Sequence, residues 1–250
     1  MAQLIETPRK VAENHFLLKI KLDGTVAPKP GQFVNIRPGN STAPLLRKPI
    51  SVFNYNDDTV ELIVQSIGPG TKLLCNAKPG AIDILGPLGR GFTEYKTGDV
   101  LLIGGGVGCA PLYFLAKRLK AAGCRVTFIY GARAAEFVYL ADDYSRISDS
   151  FFLMTDDGSA GEKGLVTHKA AELFAEKKFD AVCICGPLPM MKAAAALVPK
   201  ETLLEASMET YFACGIGMCS GCAVETNSGM QRACVEGPVF NGKNLLWDKL

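Results

Sequence analysis

Four cysteines near the C-terminal end of the chain have the spacing of metal ligands. Cys214, Cys219 and Cys222 form a C-x4-C-x2-C motif, and Cys234 follows eleven positions after Cys222. The first three match the spacing of thiolates that bind a plant-type [2Fe–2S] cluster. The motif therefore predicts an iron–sulfur site with four sulfur ligands.

The composition around these cysteines supports that interpretation. Gly215, Gly217 and Gly221 lie between them, and glycine lets a loop bring backbone N–H groups close to cluster sulfurs without side-chain clashes. The alternative is structural zinc, which usually takes two C-x2-C pairs, whereas this segment has one. The only histidines, His15 and His168, lie far away in the sequence, and we expect both to be structural or solvated.

A glycine-rich run in the middle of the chain has the character of a phosphate-binding turn. It follows an apolar segment and precedes a helical one, where glycines let a backbone approach a pyrophosphate at a helix N-terminus. Its candidate nucleotide-binding residues are Gly104, Gly105, Gly106, Gly108 and Pro111. The run departs from the dinucleotide fingerprint because Cys109 occupies the third glycine position. A tight turn between strand and helix, with no ligand, remains the alternative.

A second nucleotide candidate is the pair Cys185 and Gly186, which ends a later apolar strand. Ligands of open α/β sheets bind beyond the carboxyl ends of the strands. Cys185 would then line a nicotinamide pocket, although a buried structural cysteine is an equal alternative.

These residues need elements to position them, and the hydrophobic pattern divides the chain into three parts. Residues 1–97 read as short β-segments separated by turns at PKPG, RPGN, YNDD, GPGT and KPG. Many short strands at close spacing predict a small antiparallel β-barrel. Residues 98–207 alternate apolar strands with helices, which predicts a doubly wound parallel sheet with helices on both faces. Residues 208–250 form the cysteine-bearing segment. The fold class is therefore β + α/β.

Composition excludes several classes of protein. Hydrophobic residues make up 48% and charged residues 21% of 250 residues, and the formal net charge is +2. Such a chain is not disordered and offers no basic footprint for nucleic acid. The longest uncharged stretch, residues 100–116, is interrupted by glycines and Pro111, so we expect no membrane span. The first residues lack the apolar core of a secretory signal. These features predict a cytoplasmic protein.

Several motifs, taken in order, resemble one known family. PGQFVNI, LLRKPISVF, GPGT, GPLGRGF, GGGVGCAPL, YGAR, CGP and ACGIGMCSGC followed by CVEGPVF are similar to the landmarks of the ferredoxin–NADP reductase superfamily. The C-terminal cysteine motif narrows the resemblance to the electron-transfer subunits of type B dihydroorotate dehydrogenases. The resemblance covers essentially the whole chain.

The resemblance implies an iron–sulfur flavoprotein with three redox groups: FAD, a [2Fe–2S] cluster, and NAD as co-substrate. In that family a catalytic partner subunit oxidises dihydroorotate at its FMN, and electrons pass through the cluster and FAD to NAD⁺ in de novo pyrimidine (UMP) biosynthesis. It further implies a complex with two of each chain, and no catalytic residue or dihydroorotate site in this chain. The alternatives are a reductase subunit of a sulfide dehydrogenase or of a ferredoxin-dependent NAD(P) transhydrogenase.

The FAD residues implied by the resemblance lie in the first ninety residues. They are Arg47, Lys48, Pro49, Ile50 and Ser51 of the FAD signature, Ile63, Val64 and Gln65 of the flavin-facing strand, and Gly70 and Thr71 beside the phosphates. Lys48 departs from the pattern because the family usually has Arg there. A lysine can neutralise a pyrophosphate but cannot make the bidentate contact of Arg. Either Lys48 or Arg47 would meet the pyrophosphate.

Two further expectations concern single residues. Arg133 follows the second strand of the nucleotide part and could bind the 2′-phosphate of NADP, but Glu136 and the pair Asp142-Asp143 follow it. We predict a preference for NAD over NADP. Glu209, just before the cysteine motif, could assist near the flavin, although its position is more typical of a solvated carboxylate.

Overall fold

The computed structural model describes residues 2–24, 26–39 and 43–250. Within these ranges the first sheet contains β1 Gln3–Leu4, β2 Arg9–Ala12, β3 His15–Lys21, β4 Phe33–Ile36, β5 Lys48–Asn56, β6 Thr59–Gln65, β7 Gly80–Ala81 and β8 Ile84–Leu88, with the helix α1 Pro69–Cys75 between β6 and β7. The strand order is β7-β1-β3-β6-β5-β4-β8, with β2 paired to β3. Because β7 and β8 are consecutive in the chain yet end the sheet on opposite sides, the sheet must curl round on itself. The predicted antiparallel barrel is confirmed as this curled sheet.

The interior of the barrel is filled by alternate residues of its strands. Leu18 and Ile20 of β3 and Val60 and Leu62 of β6 are fully buried. Side chains of a strand alternate between its two faces, so the neighbours of these residues point outward. This alternation decides which residues of β6 can line a site outside the barrel.

The GPGT segment is not the turn that the sequence suggested. Pro69 begins α1, where its missing N–H costs nothing, and Thr71 caps the helix. The Thr71 hydroxyl accepts hydrogen bonds from the backbone N–H groups of Ile67 at 3.1 Å and Gly68 at 3.0 Å, and donates one to the Gly68 carbonyl at 3.1 Å. The turn prediction was wrong because it ignored this capping pattern downstream of the glycine.

The second sheet is parallel and doubly wound. Its elements are β9 Asp99–Gly105, α2 Cys109–Ala121, β10 Arg125–Ala132, α3 Ala141–Arg146, β11 Ser150–Thr155, β12 Glu162–Lys163, α4 Val166–Glu176, β13 Ala181–Cys185, α5 Leu188–Leu197 and β14 Leu203–Ser207. The order is β12-β11-β10-β9-β13-β14, with the antiparallel strand β17 Val239–Asn241 added beside β14. The strand order reverses between β9 and β13, which is where open α/β sheets bind ligands.

Helices cover both faces of this sheet, as predicted. The core on one face includes Leu112 and Leu115 of α2 and Tyr144 of α3, while the core on the other includes Leu173 of α4 and Met191 of α5. The barrel packs against the first face. None of the helices described is long and apolar enough to cross a membrane.

The cysteine segment returns to the sheet on the second face. No helix or strand occurs between β14 and the hairpin of β15 Ala223–Thr226 and β16 Gly229–Arg232, after which β17 joins β14. Cys222 and Cys234 are buried in the same core as Leu204 and Phe240. The segment is therefore anchored at its C-terminal half, while the loop that carries Cys214 and Cys219 has no regular structure of its own.

Candidate functional site

A cleft between the barrel and the α/β sheet brings together residues from all three parts of the chain. The barrel contributes Phe33, Pro49, Ile50, Ser51, Ile63, Gln65, Ile67 and Thr71. The α/β part contributes Val107, Ala110 and Ser207, and the last part contributes Met208, Glu209, Thr210, Phe212 and Pro238. Six of these are residues that the resemblance assigned to FAD. A largely apolar cleft with a few hydroxyl and amide groups suits a flavin ring.

The predicted FAD residues on β6 lie on different faces of the strand. Ile63 and Gln65 line the cleft, whereas Val64 is fully buried in the barrel core. The alternation of strand side chains accounts for this separation. The Val64 side chain therefore faces away from the cleft.

Lys48 and Arg47 have different surroundings. The side chain of Lys48 lies across Gly70 at the start of α1, so closely that a Cβ on Gly70 would overlap the Lys48 Cε. Arg47 instead pairs with Asp83 at 2.7 Å and also donates to the Asp83 carbonyl at 3.2 Å. A hydrogen bond from Arg47 lowers the pKa of Asp83. Across the described ranges, Lys48 has no carboxylate within ion-pair distance, so its charge is available to a ligand.

The glycine-rich turn lies at the reversal point of the parallel sheet. Gly104 and Gly105 end β9, residues 106–108 form a short 3₁₀ turn, and Pro111 lies in the first turn of α2. A Cβ on Gly108 would approach the Cys185 carbonyl oxygen and the Gly186 nitrogen to 2.6 Å. Gly106 has a φ of +56° and open space around it. Gly108 thus serves packing, whereas Gly106 leaves room for a ligand.

Cys185 lies behind this turn rather than at its surface. The residue is 1% exposed, and burial raises the pKa of its thiol well above the ordinary range. Gly186 follows with a φ of +156°, in contact with the backbone of Gly105. Neither Cys185 nor Gly186 lines the cleft, and both residues are buried.

The cysteine loop has the chemistry of a thiolate site. Backbone N–H groups of Ile216, Cys219 and Met218 donate to the Cys214 sulfur, and together with the Cys219 thiol they lower the pKa of Cys214 to about 6. The backbone N–H of Gly221 donates to the Cys219 sulfur at 3.4 Å. Backbone amides directed at sulfur are the environment that a negatively charged cluster requires.

The four sulfurs are arranged as two pairs. Cys214 contacts Cys219, and Cys234 contacts Cys222; burial and the Cys222 thiol raise the pKa of Cys234 to about 12. Within the ranges described, no three potential ligands come close enough to hold a single metal ion. A pairwise arrangement suits a cluster with two iron atoms, because a [2Fe–2S] centre has four thiolates and two metals to share them.

Glycines let the cysteine loop approach the barrel and the C-terminal segment. Gly215 has a φ of +71°, and a Cβ there would come within 2.5 Å of the Asn35 Nδ2. That nitrogen donates to the Cys214 carbonyl at 3.2 Å. Gly217 has a φ of +86°, and its carbonyl accepts a hydrogen bond from Arg232 at 2.9 Å. The loop is therefore joined to the barrel on one side and to the hairpin on the other.

The cleft and the cysteine loop are adjacent. Phe212 lines the cleft, and the centroid of its ring lies 5.0 Å from that of Phe33. Phe212 precedes Cys214 by two residues. Outside the cleft, the same segment exposes large apolar side chains around the exposed Cys219: Tyr211 is 94% exposed, Met218 81% and Ile216 51%. Exposed apolar groups clustered in this way mark interaction surfaces.

Glu209 and His15 have contrasting environments. Glu209 lines the cleft with its side chain exposed, and desolvation there raises its pKa. His15 is buried, stacks on Tyr139 at 5.2 Å and contacts the Glu13 carbonyl at 2.7 Å; burial lowers its pKa. Neither His15 nor the exposed His168 lines the cleft. A signal for Glu209 was its place between the end of an apolar strand and the cysteine motif.

Two family models match this chain. The model described as the iron-sulfur cluster binding domain of dihydroorotate dehydrogenase B matches residues 209–246, and the oxidoreductase NAD-binding domain matches residues 102–196. These regions contain the cysteine loop and the glycine-rich turn, respectively.

Curated relatives and solved structures are similar over nearly the whole chain. The dihydroorotate dehydrogenase B (NAD(+)) electron transfer subunit of Fusobacterium nucleatum is 36% identical, with 94% of each chain covered. The electron transfer subunit homolog of Thermotoga maritima is 39% identical over 89% of this chain and 79% of the relative. A structure of the NADH-dependent reduced ferredoxin-NADP oxidoreductase, studied for flavin-based electron bifurcation, has a TM-score of 0.88 and 36% identity, and covers 99% of this chain and 91% of its own.

Proposed function

This chain belongs to the family of dihydroorotate dehydrogenase B electron transfer subunits, and on that premise we propose that it carries electrons from a dihydroorotate-oxidising partner to NAD⁺ through a [2Fe–2S] cluster and FAD. The observation that carries the proposal is the shared wall of the two sites. The segment that lines the cleft with Glu209 and Phe212 continues directly into Cys214. Such continuity suits a protein whose work is to hold two redox groups next to each other.

The chemistry supplied by bound FAD would be the conversion between one-electron transfer with the cluster and hydride transfer with nicotinamide. The chain's own residues then have positioning roles. Ser51 and Gln65 offer polar groups in the cleft, and Ile50 and Ile63 supply apolar walls. Val107, in the short turn before α2, lines the cleft on the nucleotide side. This arrangement admits a flat aromatic ring and excludes water from its faces.

Lys48, rather than Arg47, is the better candidate for the FAD pyrophosphate. Its side chain lies beside Gly70, and in the described chain its ammonium has no carboxylate partner, whereas Arg47 pairs with Asp83. We expect Lys48→Ala to weaken FAD binding by about 10-fold to 100-fold, as for loss of a charged hydrogen bond. Arg47→Ala should have a much smaller effect. Fluorescence titration with FAD measures both, and Lys78→Ala serves as the matched control; equal effects of the two substitutions would contradict the assignment.

For the cluster, we propose Cys214 and Cys219 as the ligands of one iron and Cys222 and Cys234 as the ligands of the other. The contacts within each pair and the amide hydrogen bonds at Cys214 support this division. Iron, acid-labile sulfide and the visible spectrum of anaerobically purified protein test it. Two irons and two sulfides per chain are expected; stoichiometric zinc without sulfide would overturn it.

The exposed apolar side chains around Cys219 are the proposed docking face for the catalytic subunit, which would carry FMN in a complex of two chains of each kind. Electron transfer to a partner needs the cluster close to the surface, and Cys219 is exposed there with Met218 and Tyr211. Met218→Lys should weaken the complex, measured by co-purification and by dihydroorotate-dependent formation of NADH. Val26→Lys, at an exposed apolar residue of the barrel, should leave both unchanged.

We also place the protein in the cytoplasm, since none of its nine cysteines is in a disulfide.

The similarity to the NADH-dependent reduced ferredoxin-NADP oxidoreductase favours a second candidate, a reductase subunit that serves ferredoxin and NADP. The coenzyme distinguishes the two functions. Arg133 is exposed after β10, and in the described ranges no carboxylate pairs with it. We nevertheless propose NAD over NADP by about 10-fold in kcat/KM, a preference that needs only about 1.4 kcal/mol. Equal or faster turnover with NADPH, abolished by Arg133→Ala, would favour the second candidate.

A further inference from the structure

Three buried tyrosines lie together beside the glycine-rich turn, and one of them is bonded to it. Tyr130 of β10, Tyr144 of α3 and Tyr139, in the connection between these elements, are each fully buried. The hydroxyl of Tyr139 donates to the Gly106 carbonyl at 3.2 Å and lies 3.4 Å from the Val107 carbonyl. The Tyr130 hydroxyl instead accepts the backbone N–H of Tyr139 at 3.2 Å, and the Tyr144 hydroxyl has no hydrogen-bond partner among the described residues.

The ring of Tyr139 is held in place by its neighbours. The imidazole of His15, from the barrel strand β3, stacks on it with ring centroids 5.2 Å apart, and Tyr130 meets it edge to face at 5.6 Å. Aromatic pairs with this geometry are favourable. His15 pairs with the cleft residue Gln65 in the barrel sheet. The ring of Tyr139 therefore joins the glycine-rich turn to the flavin side of the molecule.

Packing does not explain the hydroxyl of Tyr139, because a phenylalanine ring would fill the same space. A buried hydroxyl requires a hydrogen bond, yet the Gly106 carbonyl already accepts the N–H of Cys109 within the turn. Burial also raises the pKa of Tyr139 well above the ordinary range, so the hydroxyl keeps its proton and remains a donor. Its hydrogen bond is therefore an addition to a carbonyl that already has a partner.

Peptide geometry shows what this hydrogen bond fixes. In a trans peptide the C=O of one residue and the N–H of the next lie in one plane and point in opposite directions. A donor that holds the carbonyls of Gly106 and Val107 therefore also directs the N–H groups of Val107 and Gly108 away from Tyr139. The turn leads into α2, and N–H groups at the beginning of a helix have no partner within it. A Cβ on Gly106 would meet nothing within 4 Å, so there is room for an anion beside these groups.

We propose that Tyr139 is a positioning residue for the nicotinamide coenzyme, an inference that rests on the proposed function. Its hydroxyl holds two successive peptide groups so that the N–H groups of Val107 and Gly108 face the pyrophosphate of the coenzyme before it binds. The turn then needs no ordering when the coenzyme arrives, and preorganisation of this kind increases affinity. Tyr139 is buried behind the turn and does not line the cleft, so it contributes to coenzyme affinity and not to hydride transfer.

Tyr139→Phe tests this role because it removes the hydroxyl and keeps the ring. ADP-ribose is the probe, since it carries the pyrophosphate and adenosine of the coenzyme but cannot reduce the flavin. Calorimetric titration of the FAD-loaded protein should show ADP-ribose binding about fivefold weaker in Tyr139→Phe, as for loss of one hydrogen bond. With NADH and an artificial electron acceptor, KM should rise by a similar factor while kcat stays unchanged.

Tyr144→Phe is the matched control. It removes a hydroxyl without a partner from the same aromatic cluster, so its ADP-ribose affinity and its KM should equal those of the wild type. Flavin content and melting temperature should be close to the wild-type values in both variants, because each retains the packed ring.

Amide hydrogen exchange of the coenzyme-free protein provides a measurement that does not depend on activity. Exchange across residues 106–110 should be faster in Tyr139→Phe than in the wild type, because the turn loses one of its restraints. It should be unchanged in Tyr144→Phe. Saturation with ADP-ribose should slow exchange there in all three proteins.

Each outcome supports or overturns the proposal. Wild-type affinity and exchange in Tyr139→Phe would overturn it, and so would equal losses in Tyr139→Phe and Tyr144→Phe, which would assign the effect to packing of the cluster. A fall in kcat with KM unchanged, or loss of FAD or of the folded state in Tyr139→Phe, would also overturn it, because the hydroxyl would then have a different role. A wild-type protein that binds no ADP-ribose and whose flavin NADH does not reduce would instead refute the proposed function.

Discussion

The glycine-rich turn and the cysteine loop both place glycines around a candidate ligand, but they are held in place differently. The turn lies between β9 and α2, and Gly108 packs directly on the backbone of Cys185. The cysteine loop has no helix or strand from residue 208 to residue 222, and a small set of side-chain hydrogen bonds, from Asn35 and Arg232 among others, joins it to its surroundings.

This difference indicates which site depends on its ligand. The turn's shape is fixed by the packing of a parallel sheet, which exists with or without a dinucleotide. For the cysteine loop, bonds from four thiolates to iron would replace the missing regular structure, because metal binding and local folding are then one process. We therefore expect the nucleotide site to survive loss of its ligand and the cluster site to lose its order.

Cys219→Ser should give the largest effect. The substitution removes one thiolate, so the cluster should be lost completely. FAD should be retained, since all six cleft residues that the resemblance assigned to FAD lie in the barrel. Amide hydrogen exchange should accelerate across residues 209–222 and remain slow in β9 and β10. Iron analysis, flavin content and exchange mass spectrometry measure these outcomes.

Cys124→Ser is the matched control for that experiment. Cys124 lies outside the cluster loop, and its thiol donates to the Tyr95 carbonyl at 3.4 Å, a hydrogen bond that serine can make. This variant should keep its iron. Loss of FAD together with the cluster in Cys219→Ser, or slow exchange in the loop without iron, would contradict the contrast between the two regions.

Replacement of two glycines within the turn should separate packing from ligand binding. A Cβ on Gly108 would lie 2.6 Å from backbone atoms of β13 and Gly186, and overpacking of this kind costs about 1–3 kcal/mol. Gly108→Ala should therefore lower the free energy of unfolding of the α/β part. A Cβ on Gly106 would meet no neighbouring atom, but the φ of Gly106 is +56°. We therefore expect Gly106→Ala to lower the free energy of unfolding by about 1–2 kcal/mol and to weaken NAD binding.

Chemical denaturation and NADH titration of the two variants provide the measurements. Gly108→Ala should bind NADH normally under conditions where it remains folded, because its Cβ would face the sheet. Gly106→Ala should bind NADH less tightly even when folded. The reverse assignment, with Gly108→Ala impaired in binding alone, would show that the turn is shaped by its ligand after all.

The sequence predicted these regions unequally, for physical reasons. The curled antiparallel sheet and the doubly wound parallel sheet followed from the periods of apolar residues, which report directly on burial. The predicted turn at GPGT failed because Thr71 caps a helix from three residues beyond Gly68. The strand periodicity that identified β6 also places the side chains of Ile63 and Val64 on opposite faces of the strand. A family pattern that is transferred residue by residue does not distinguish the two faces.

Residues of the site depended on contacts between distant segments, which no local pattern contains. The choice between Lys48 and Arg47 needed the position of Asp83, thirty-six residues beyond Arg47. The cleft position of Glu209 needed the packing of the barrel against the end of β14. The four cysteines were recognisable because ligand spacing is itself a local property of the chain.

The smallest expected effect concerns the link between the hairpin and the cysteine loop. Arg232 donates to the Gly217 carbonyl at 2.9 Å while Glu236 holds its guanidinium through Nε at 3.1 Å. Lysine keeps the positive charge but cannot make both contacts at once, because it lacks the planar fork of Arg. Arg232→Lys should therefore loosen the loop without preventing assembly of the cluster. Release of iron to an excess of chelator should be about two- to fivefold faster than in the wild type, in keeping with the modest strength of exposed charged contacts. Arg125→Lys provides the control, because Arg125 is an exposed arginine that pairs with Asp99 and is distant in sequence from the cysteine loop. This variant should release iron at the wild-type rate. If Arg232→Lys also releases iron at that rate, the iron ligands alone hold the loop, and the dependence of this region on its ligand is stronger still.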